Sequence, residues 1–388
     1  MNKRNSAIDG LRGIAALAVV FYHSILVNGG AIVTEVLHPP VQELSSLRAV
    51  LTKIALFIFN GENAVYVFFV LSGLVLSASL QRKPVTGAVV VAFVIKRAFR
   101  IYPALIVCLA LMHLLSVMVL ARGGSFAGFG GWVAASRLDL IISNALLTEI
   151  TVHGASWTLQ AEVLAVPFIL VGAILAQKLG PAGLVLALAY SLAAWQSDYL
   201  VFGSKMLAPT LPAFFLGMML ADPSSREWFR KIPSASLPIT VTLFMFGRLF
   251  IPMTTDMGIL AQALLATLLV GQIYHGKRDG WLSDALTSRP VQLLGRVSYS
   301  FYLFAVPVMW IGVAALIPTG LLESRPLEVG LALGFATTVA TIPVAIAGER
   351  TVERWGIWIG SALARAVVGA KWLYPLGRSS RALAEPRT

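Results

Sequence analysis

Ten separate apolar runs, each close to the length that crosses a lipid bilayer, recur along the 388-residue chain. A helix needs about 17 to 25 apolar residues to span the hydrocarbon core, so these runs predict membrane-spanning helices. The composition agrees, because 12% of the residues are charged whereas soluble domains carry about 25%. A soluble fold of this size would lack a polar surface. The runs cover residues 11–27, 65–80, 101–121, 157–176, 182–195, 207–221, 237–251, 259–275, 297–317 and 328–348.

The distribution of basic residues tests this number of spans, since a missed span would invert every later loop. With a cytoplasmic N-terminus, ten spans place 23 of the 30 Lys and Arg residues on the cytoplasmic side, as the positive-inside rule requires. Two shorter apolar stretches, 54–59 and 138–150, suit re-entrant or interfacial pieces. The sequence therefore predicts an all-α polytopic membrane protein of about ten transmembrane helices with both termini in the cytoplasm.

The net charge of +12 favours contact with the lipid bilayer over contact with nucleic acid, because basic residues in so apolar a chain suit anionic headgroups. Cys108 is the single cysteine and no H-x-x-x-H pattern occurs, so no metal site is predicted. We expect a membrane domain over residues 1–348. Trp355 and Trp358, with basic residues beyond them, predict an interfacial helix in a basic cytoplasmic tail, 349–388, whose end is disordered.

Two ionisable residues on the first predicted helix are candidates for function, since ionisable groups in lipid are expensive. Arg12 lies at its cytoplasmic end and His23 lies deep inside. Eleven residues separate them, about three helical turns, so they project from nearly the same face about 16 Å apart. A histidine held by a neighbouring helix is the equally weighted alternative for His23.

Glu162 lies about two turns into the fourth apolar run, where an unpaired carboxylate would be very costly. It therefore needs a partner, and His23 is a suitable one. A carboxylate bound to one ring nitrogen leaves the other nitrogen free to take a proton from a hydroxyl. The alternative is a structural acid bonded to Ser or Thr.

Arg97 and Arg100 stand three residues apart before the third apolar run, so on a helix they share a face and suit the phosphates of a nucleotide-like ligand. Ordinary anchoring at the cytoplasmic surface is the competing interpretation. Ser72 and Gly73, inside the second run, favour close helix packing. Ser72 is at best a weak candidate for a nucleophile.

Together these motifs resemble the acyltransferase 3 family of bacterial integral-membrane O-acyltransferases. No single motif is specific, but five occur in family order, and no soluble hydrolase-like domain is appended, which resembles the stand-alone form. They are IDGLRG at 8–13 with His23 in an R-x10-H arrangement, FFVLSG at 68–73, Arg97 and Arg100 before Tyr102-Pro103, SWTLQAE at 156–162, and LGRVSYSFYL at 294–303.

The resemblance implies a multi-pass enzyme of the bacterial cytoplasmic membrane that moves an acyl group, typically acetyl, from acyl-CoA to a hydroxyl of an envelope glycan or similar small-molecule acceptor. Acyl-CoA would be a donor substrate and no cofactor would be bound permanently. Arg12, Arg97 and Arg100 would hold its nucleotide end. His23 would deprotonate the acceptor and Glu162 would orient His23, although an acyl-enzyme stays open.

The chain departs from the family pattern in two places. Phe304 to Pro307 replace a run that often contains His, and Glu353 is not closely followed by Pro. Both departures bear on acceptor choice or packing. Two other functions also fit a membrane chain with a buried His and Glu. One is a transporter or flippase that uses them as a proton relay, and the other is a non-catalytic component of a polysaccharide assembly complex.

Overall fold

The computed structural model describes residues 3–28, 32–81, 84–124, 131–249, 255–276 and 280–369. Across these ranges the chain forms helices joined by short turns and no β-strand, which confirms the all-α class. Single turns aside, the α-helices in chain order are α1 (Lys3–Ile25), α2 (Leu47–Ile58), α3 (Gly61–Leu80), α4 (Gly87–Ala121), α5 (Gly131–Ser136), α6 (Leu138–Ala145), α7 (Trp157–Leu164), α8 (Val166–Leu179), α9 (Pro181–Trp195), α10 (Leu207–Leu220), α11 (Pro223–Lys231), α12 (Leu237–Phe246), α13 (Asp256–His275), α14 (Trp281–Thr287), α15 (Arg289–Leu316), α16 (Pro326–Gly348) and α17 (Arg354–Val368).

Seven helical segments of the described chain are long and apolar enough to span a membrane. The most apolar window lies in α4, with a mean hydropathy of 2.6, yet only 33% of it is buried inside the protein. Such a surface needs lipid around it, so the polytopic membrane protein is confirmed. The segments are Ser6–Ile25, Leu47–Leu80, Gly87–Ala121, Gly154–Leu179, Asp256–His275, Arg289–Thr319 and Pro326–Val368.

These segments contain seven of the ten predicted runs, and the other three differ from simple spans. The runs 182–195 and 207–221 form α9 and α10, which have 15 and 14 residues and are short for a crossing. The run 237–251 belongs to a helix pair bent by 85°. The count of ten and the cytoplasmic position of both termini therefore stay predictions.

Helix α4 begins earlier than the sequence analysis placed its span. The apolar run was predicted from residue 101, with the basic residues before it at the mouth, but the helix starts at Gly87 and has 35 residues. Basic side chains do not interrupt a helix, and the apolar residues before them continue it. At 1.5 Å per residue α4 is about 52 Å long, so Arg97 and Arg100 lie within it rather than before it.

Helix α1 is central, because it packs against α3, α15 and α16. Its contact with α15 depends on glycine. A Cβ atom at Gly13 would collide with the backbone of Gly295, and one at Gly295 would collide with the carbonyl of Asp9. Gly73 and Gly217 bring α3 and α10 together in the same way, which confirms the packing role predicted for the Ser72-Gly73 pair.

The helix of the predicted tail is present as α17. It continues α16 through one π-helical turn, Glu349–Glu353, and packs against the first half of α4 at Phe99. Trp355 and Trp358 are exposed, as an interfacial helix would require. The domain boundary at 348 and the interfacial position stay predictions, and residues 370–388 lie outside the described part of the chain.

Candidate active site

A cavity of about 150 Å³ opens between α1, α3, α4, α7 and α15. All three arginines and the glutamate singled out in the sequence line it, whereas His23 does not. We call this the cationic pocket. Its lining residues are Arg12, Phe68, Phe69, Leu71, Ser72, Val75, Leu76, Arg97, Arg100, Ile101, Thr158, Leu159, Glu162, Ser298, Tyr299 and Tyr302.

Glu162 is held by an arginine and a serine on the wall of this pocket. Its Oε1 atom forms an ion pair with Arg97 and accepts a hydrogen bond of 2.8 Å from Ser72 Oγ. Arg97 also donates to Ser72 Oγ at 3.2 Å. The side chain of Arg97 is 10% exposed and that of Glu162 is 26% exposed. An ion pair this far from water fixes the positions of both groups.

The positive charges of Arg12 and Arg100 are neutralised much less than that of Arg97. The ion pair of Arg12 is with Asp9 at 3.8 Å, and Arg100 makes no hydrogen bond or ion pair with the described residues. The two guanidinium groups are close enough to repel each other electrostatically. Three arginines against Glu162 leave a charge of +2 on the lining. The pocket is therefore suited to an anionic ligand.

Glu353 is a charged neighbour to which the sequence assigned no role. It ends the π-helical turn between α16 and α17, and its Oε1 accepts from Ser300 N at 3.1 Å and Ser300 Oγ at 2.5 Å. Its charge acts on both Arg12 and Arg100. π-helical turns are frequent at functional sites. The sequence signal that could have identified Glu353 is an acidic residue at the end of a long apolar helix.

Aromatic and hydroxyl groups form another part of the pocket lining. Tyr302 donates to the carbonyl of Ala155 at 2.8 Å, contacts Thr158 Oγ1 at 3.1 Å, and packs edge-on against Phe68 at 6.0 Å between ring centroids. Ser298 also lines the pocket, and its buried Oγ has no partner in the described part of the chain. A ligand could therefore receive one further hydrogen bond there.

His23 lies near the other end of α1, about 16 Å along the helix axis from Arg12. Its Nδ1 is 2.7 Å from the carbonyl of Val19. Because a carbonyl oxygen only accepts hydrogen bonds, Nδ1 carries the proton in the neutral ring and Nε2 has the lone pair. The carbonyl of Val19 therefore gives the imidazole the tautomer of a base at Nε2.

The predicted pair between His23 and Glu162 is wrong. The carboxylate that was to orient the ring is bound by Arg97 and Ser72 in the cationic pocket. Glu62 is linked to the His23 ring instead, through Tyr22, which binds the carboxylate and contacts the imidazole. The physical reason is the position of α7, which places Glu162 beside the arginines of α4 near the Arg12 end of α1.

Glu62 belongs to a second polar group, the Glu62 cluster, formed by Tyr22, His23, Asn60, Glu62 and Arg248. Glu62 Oε1 accepts from Tyr22 at 2.5 Å and its Oε2 pairs with Arg248 at 2.7 Å. Asn60 caps α3 and accepts from Arg248 at 3.4 Å. Glu62 was not predicted as a site residue from the sequence, because an acidic residue in the first turn of a helix is common for its effect on the helix dipole.

His153 is a further buried histidine, in the loop before α7. Its Nε2 is 3.0 Å from the carbonyl of Leu303, and its Nδ1 has no partner among the described residues. Burial lowers the pKa of His153, so the ring is neutral near pH 7. His153 and His23 are close enough that a charge on either ring would disfavour a charge on the other.

The comparison with protein families gives one match, to a model described as an acyltransferase domain, over residues 5–348. Neither the curated proteins nor the solved structures gave a match. The family model covers nearly the whole 388-residue chain, including both polar groups. Between an enzyme and a transporter, the match decides for the enzyme. The chain belongs to the acyltransferase 3 family and is a multi-pass membrane acyltransferase.

Proposed function

We infer that this acyltransferase takes an acyl group, typically acetyl, from acyl-CoA in the cationic pocket and transfers it to a hydroxyl of a glycan or similar acceptor at His23. The observation that carries the proposal is that an arginine-lined cavity and a histidine base lie near opposite ends of α1. Three guanidinium groups surround a cavity at one end, and an imidazole with a fixed proton lies near the other end.

The donor fits the charge of the pocket. Coenzyme A carries a diphosphate and a ribose phosphate, and guanidinium groups bind phosphate oxygens in pairs. Arg12 has a long ion pair of 3.8 Å with Asp9 and Arg100 has none within the described residues, so a bound phosphate would not need to displace a short ion pair. Arg97, which is held by Glu162, would provide a fixed wall for the site.

The reaction needs a base and a path for the thioester. The pantetheine arm is comparable in length to the separation of about 16 Å between Arg12 and His23. His23 Nε2 would take the proton of the acceptor hydroxyl while the hydroxyl oxygen attacks the carbonyl carbon of the thioester. The C–S bond then breaks, and the leaving thiolate takes the proton from the imidazolium.

The sidedness follows from the basic residues of the chain. The Arg12 end faces the cytoplasm if the positive-inside prediction holds, and acyl-CoA is a cytoplasmic metabolite. His23 then lies toward the opposite surface, where the acceptor would approach. This orientation fits a bacterial cytoplasmic membrane and an acceptor of the cell envelope.

The test uses membranes that contain the full-length protein and labelled acetyl-CoA, with the label released by mild alkali as the measure of O-acyl product. We expect His23→Ala to lower this transfer by about 10² to 10⁴-fold, the usual contribution of a general base. His38→Ala, at an exposed histidine, is the matched control and should transfer normally. Transfer by His23→Ala at the normal rate, with the protein present in equal amount, would exclude the proposed base.

A further inference from the structure

We propose that Glu62 is the positioning residue of His23, and that its carboxylate stabilises the imidazolium formed during transfer. The proposal rests on the proposed function, because it assumes that His23 accepts a proton. The sequence analysis expected a carboxylate for this purpose and assigned Glu162. The structure instead assigns Glu62, which comes from α3 at the His23 end of α1.

The carboxylate of Glu62 is held from two sides. Tyr22 donates to Oε1 at 2.5 Å, and Arg248 pairs with Oε2 at 2.7 Å. The cap of α3 by Asn60, which accepts from Asn63 N at 3.0 Å, fixes the first turn that carries Glu62. With one donor on each oxygen, the carboxylate cannot rotate freely, so its charge keeps one position.

Tyr22 links Glu62 to the base. The phenol ring of Tyr22 contacts the imidazole of His23 edge-on, with 5.8 Å between the ring centroids, while its hydroxyl binds the carboxylate. The side chain of Tyr22 packs directly on the backbone of α3, since a Cβ atom at Gly61 would collide with the Tyr22 ring. Glu62 therefore cannot move away from α1 without breaking this contact.

Of the charged groups in the Glu62 cluster, Glu62 is the one that can stabilise a positive charge on His23. His153 is neutral, as its burial requires. Arg248 is paired with Glu62, and Lys53 of α2 donates to three backbone carbonyls, those of Val36, Leu37 and Pro39. Tyr22 joins the Glu62 carboxylate to the His23 ring, because its hydroxyl binds Glu62 and its ring contacts the imidazole. The negative charge of Glu62 favours the imidazolium that forms when the ring takes up a proton.

In the reaction, Glu62 changes no bond. The proton moves from the acceptor hydroxyl to His23 Nε2 and later to the thiolate of the departing coenzyme A. The negative charge of Glu62 favours the intermediate state in which the proton is on the ring. This is the role that a carboxylate has beside a catalytic histidine in hydrolases, with Val19 holding the tautomer here in its place.

The first test is Glu62→Gln, which removes the charge but keeps an oxygen for Tyr22. We expect the apparent kcat for alkali-labile transfer from acetyl-CoA to fall by about 10- to 100-fold, part of the total contribution of a general base. The apparent KM for acetyl-CoA should stay within about twofold, because the donor pocket is unchanged. Glu62→Asp, which keeps the charge, should recover much of the rate. Glu328→Gln is the control, since it removes an exposed carboxylate that is paired with Arg48.

A second variant separates this role from a merely structural ion pair. Glu62→Gln leaves Arg248 without its partner, which by itself can lower stability. The double variant Glu62→Gln/Arg248→Gln removes both charges, so a structural role predicts that stability and rate recover together. We expect thermal unfolding to recover while kcat stays low. This comparison also decides the case if the single variant fails to fold.

The outcomes distinguish the two proposals. Normal kcat in Glu62→Gln or in the double variant, together with an inactive His23→Ala, would overturn the role of Glu62 and leave His23 as the base. Normal transfer by His23→Ala would overturn the proposed function first. Low kcat in both Glu62 variants with unchanged donor KM supports the assignment.

Discussion

The two polar groups near the ends of α1 have the same components in different arrangements. In the cationic pocket, Arg97 and Ser72 both bind one oxygen of Glu162. In the Glu62 cluster, an arginine and a phenol bind the two oxygens of Glu62 separately. The first carboxylate is 26% exposed and the second is 40% exposed. Each group places one carboxylate between an arginine and a hydroxyl.

The difference lies in the charge left over. The lining of the cationic pocket has three arginines and one glutamate, an excess of +2 that the neighbouring Asp9 and Glu353 offset in part, and this excess suits an anionic ligand. In the Glu62 cluster one carboxylate balances one guanidinium, and a titratable imidazole stands beside the pair. A surplus of cations suits binding of a phosphate-bearing donor, whereas a balanced pair beside a base suits proton transfer.

Removing Arg97 should have the largest effect, a loss of protein stability, because it breaks the more buried of the arginine–glutamate ion pairs in the two polar groups. Arg97→Ala leaves the Glu162 carboxylate beside Ser72 without its counter-ion. We expect a loss of about 2–4 kcal/mol of stability, somewhat below the value for fully buried pairs because Glu162 is partly exposed. Thermal unfolding in detergent measures it.

The comparison would fail if Arg97→Ala unfolded at the temperature of the unchanged protein, since Arg97 would then be a binding residue without a structural role. The double variant Arg97→Ala/Glu162→Gln is the control. It removes the unpaired charge and should regain most of the lost stability.

Sequence spacing was sufficient to place Arg97 and Arg100 on one face, because it depends on the period of a single helix. Arg12, on another helix, was grouped with them only through the family resemblance. Arg97 and Arg100 share a face three residues apart, and both line the pocket with Arg12. Spacing could not show which helix faces which. The pairing of His23 with Glu162 failed for that reason, since α7 lies against α4 at a level that only tertiary packing determines. Their catalytic and donor-binding roles stay predictions.

The length of α4 and the place of Glu62 were missed for related reasons. A positively charged stretch marks a membrane surface but does not end a helix, so the start at Gly87 was hidden. Glu62 follows the cap residue Asn60, where an acidic residue already has a local explanation in the helix dipole. The folded chain gives it a second role by bringing Tyr22 and Arg248 to it.

Arg12 and Arg100 should give the next largest effect, and it should appear in donor binding. Either Arg12→Gln or Arg100→Gln removes a charge that is less fully neutralised than that of Arg97, since Asp9 is 3.8 Å from Arg12 and Arg100 has no ion pair among the described residues. A charge-assisted hydrogen bond contributes about 1.5–3 kcal/mol, so the apparent KM for acetyl-CoA should rise about 10- to 100-fold with little change in kcat. Raising the ionic strength should increase the KM of the unchanged protein in the same direction.

Together with Glu62→Gln, the Arg12 and Arg100 variants test whether the two polar groups have separate functions. The arginine variants should change KM, and the Glu62 variant should change kcat. Equal changes in both parameters for all three would mean that the two polar groups form one continuous site. Arg122→Gln, on α4's far end and exposed, serves as the control for a general loss of positive charge.

Ser298→Ala should have the smallest effect on donor binding, and it tests a single hydrogen bond in the cationic pocket. Its buried Oγ lines the cavity without a partner in the described part of the chain, so Ser298→Ala removes no hydrogen bond from the folded protein and should leave thermal unfolding unchanged. A neutral hydrogen bond to the donor contributes about 0.5–1.5 kcal/mol, which predicts a rise in KM for acetyl-CoA of about 2- to 12-fold. Thr341→Val is the matched control, because the Thr341 hydroxyl is also buried and without a partner among the described residues but lies on α16 outside the pocket. If both variants raised the KM equally, buried hydroxyls would act through packing, and Ser298 would lose its place as a contact of the donor.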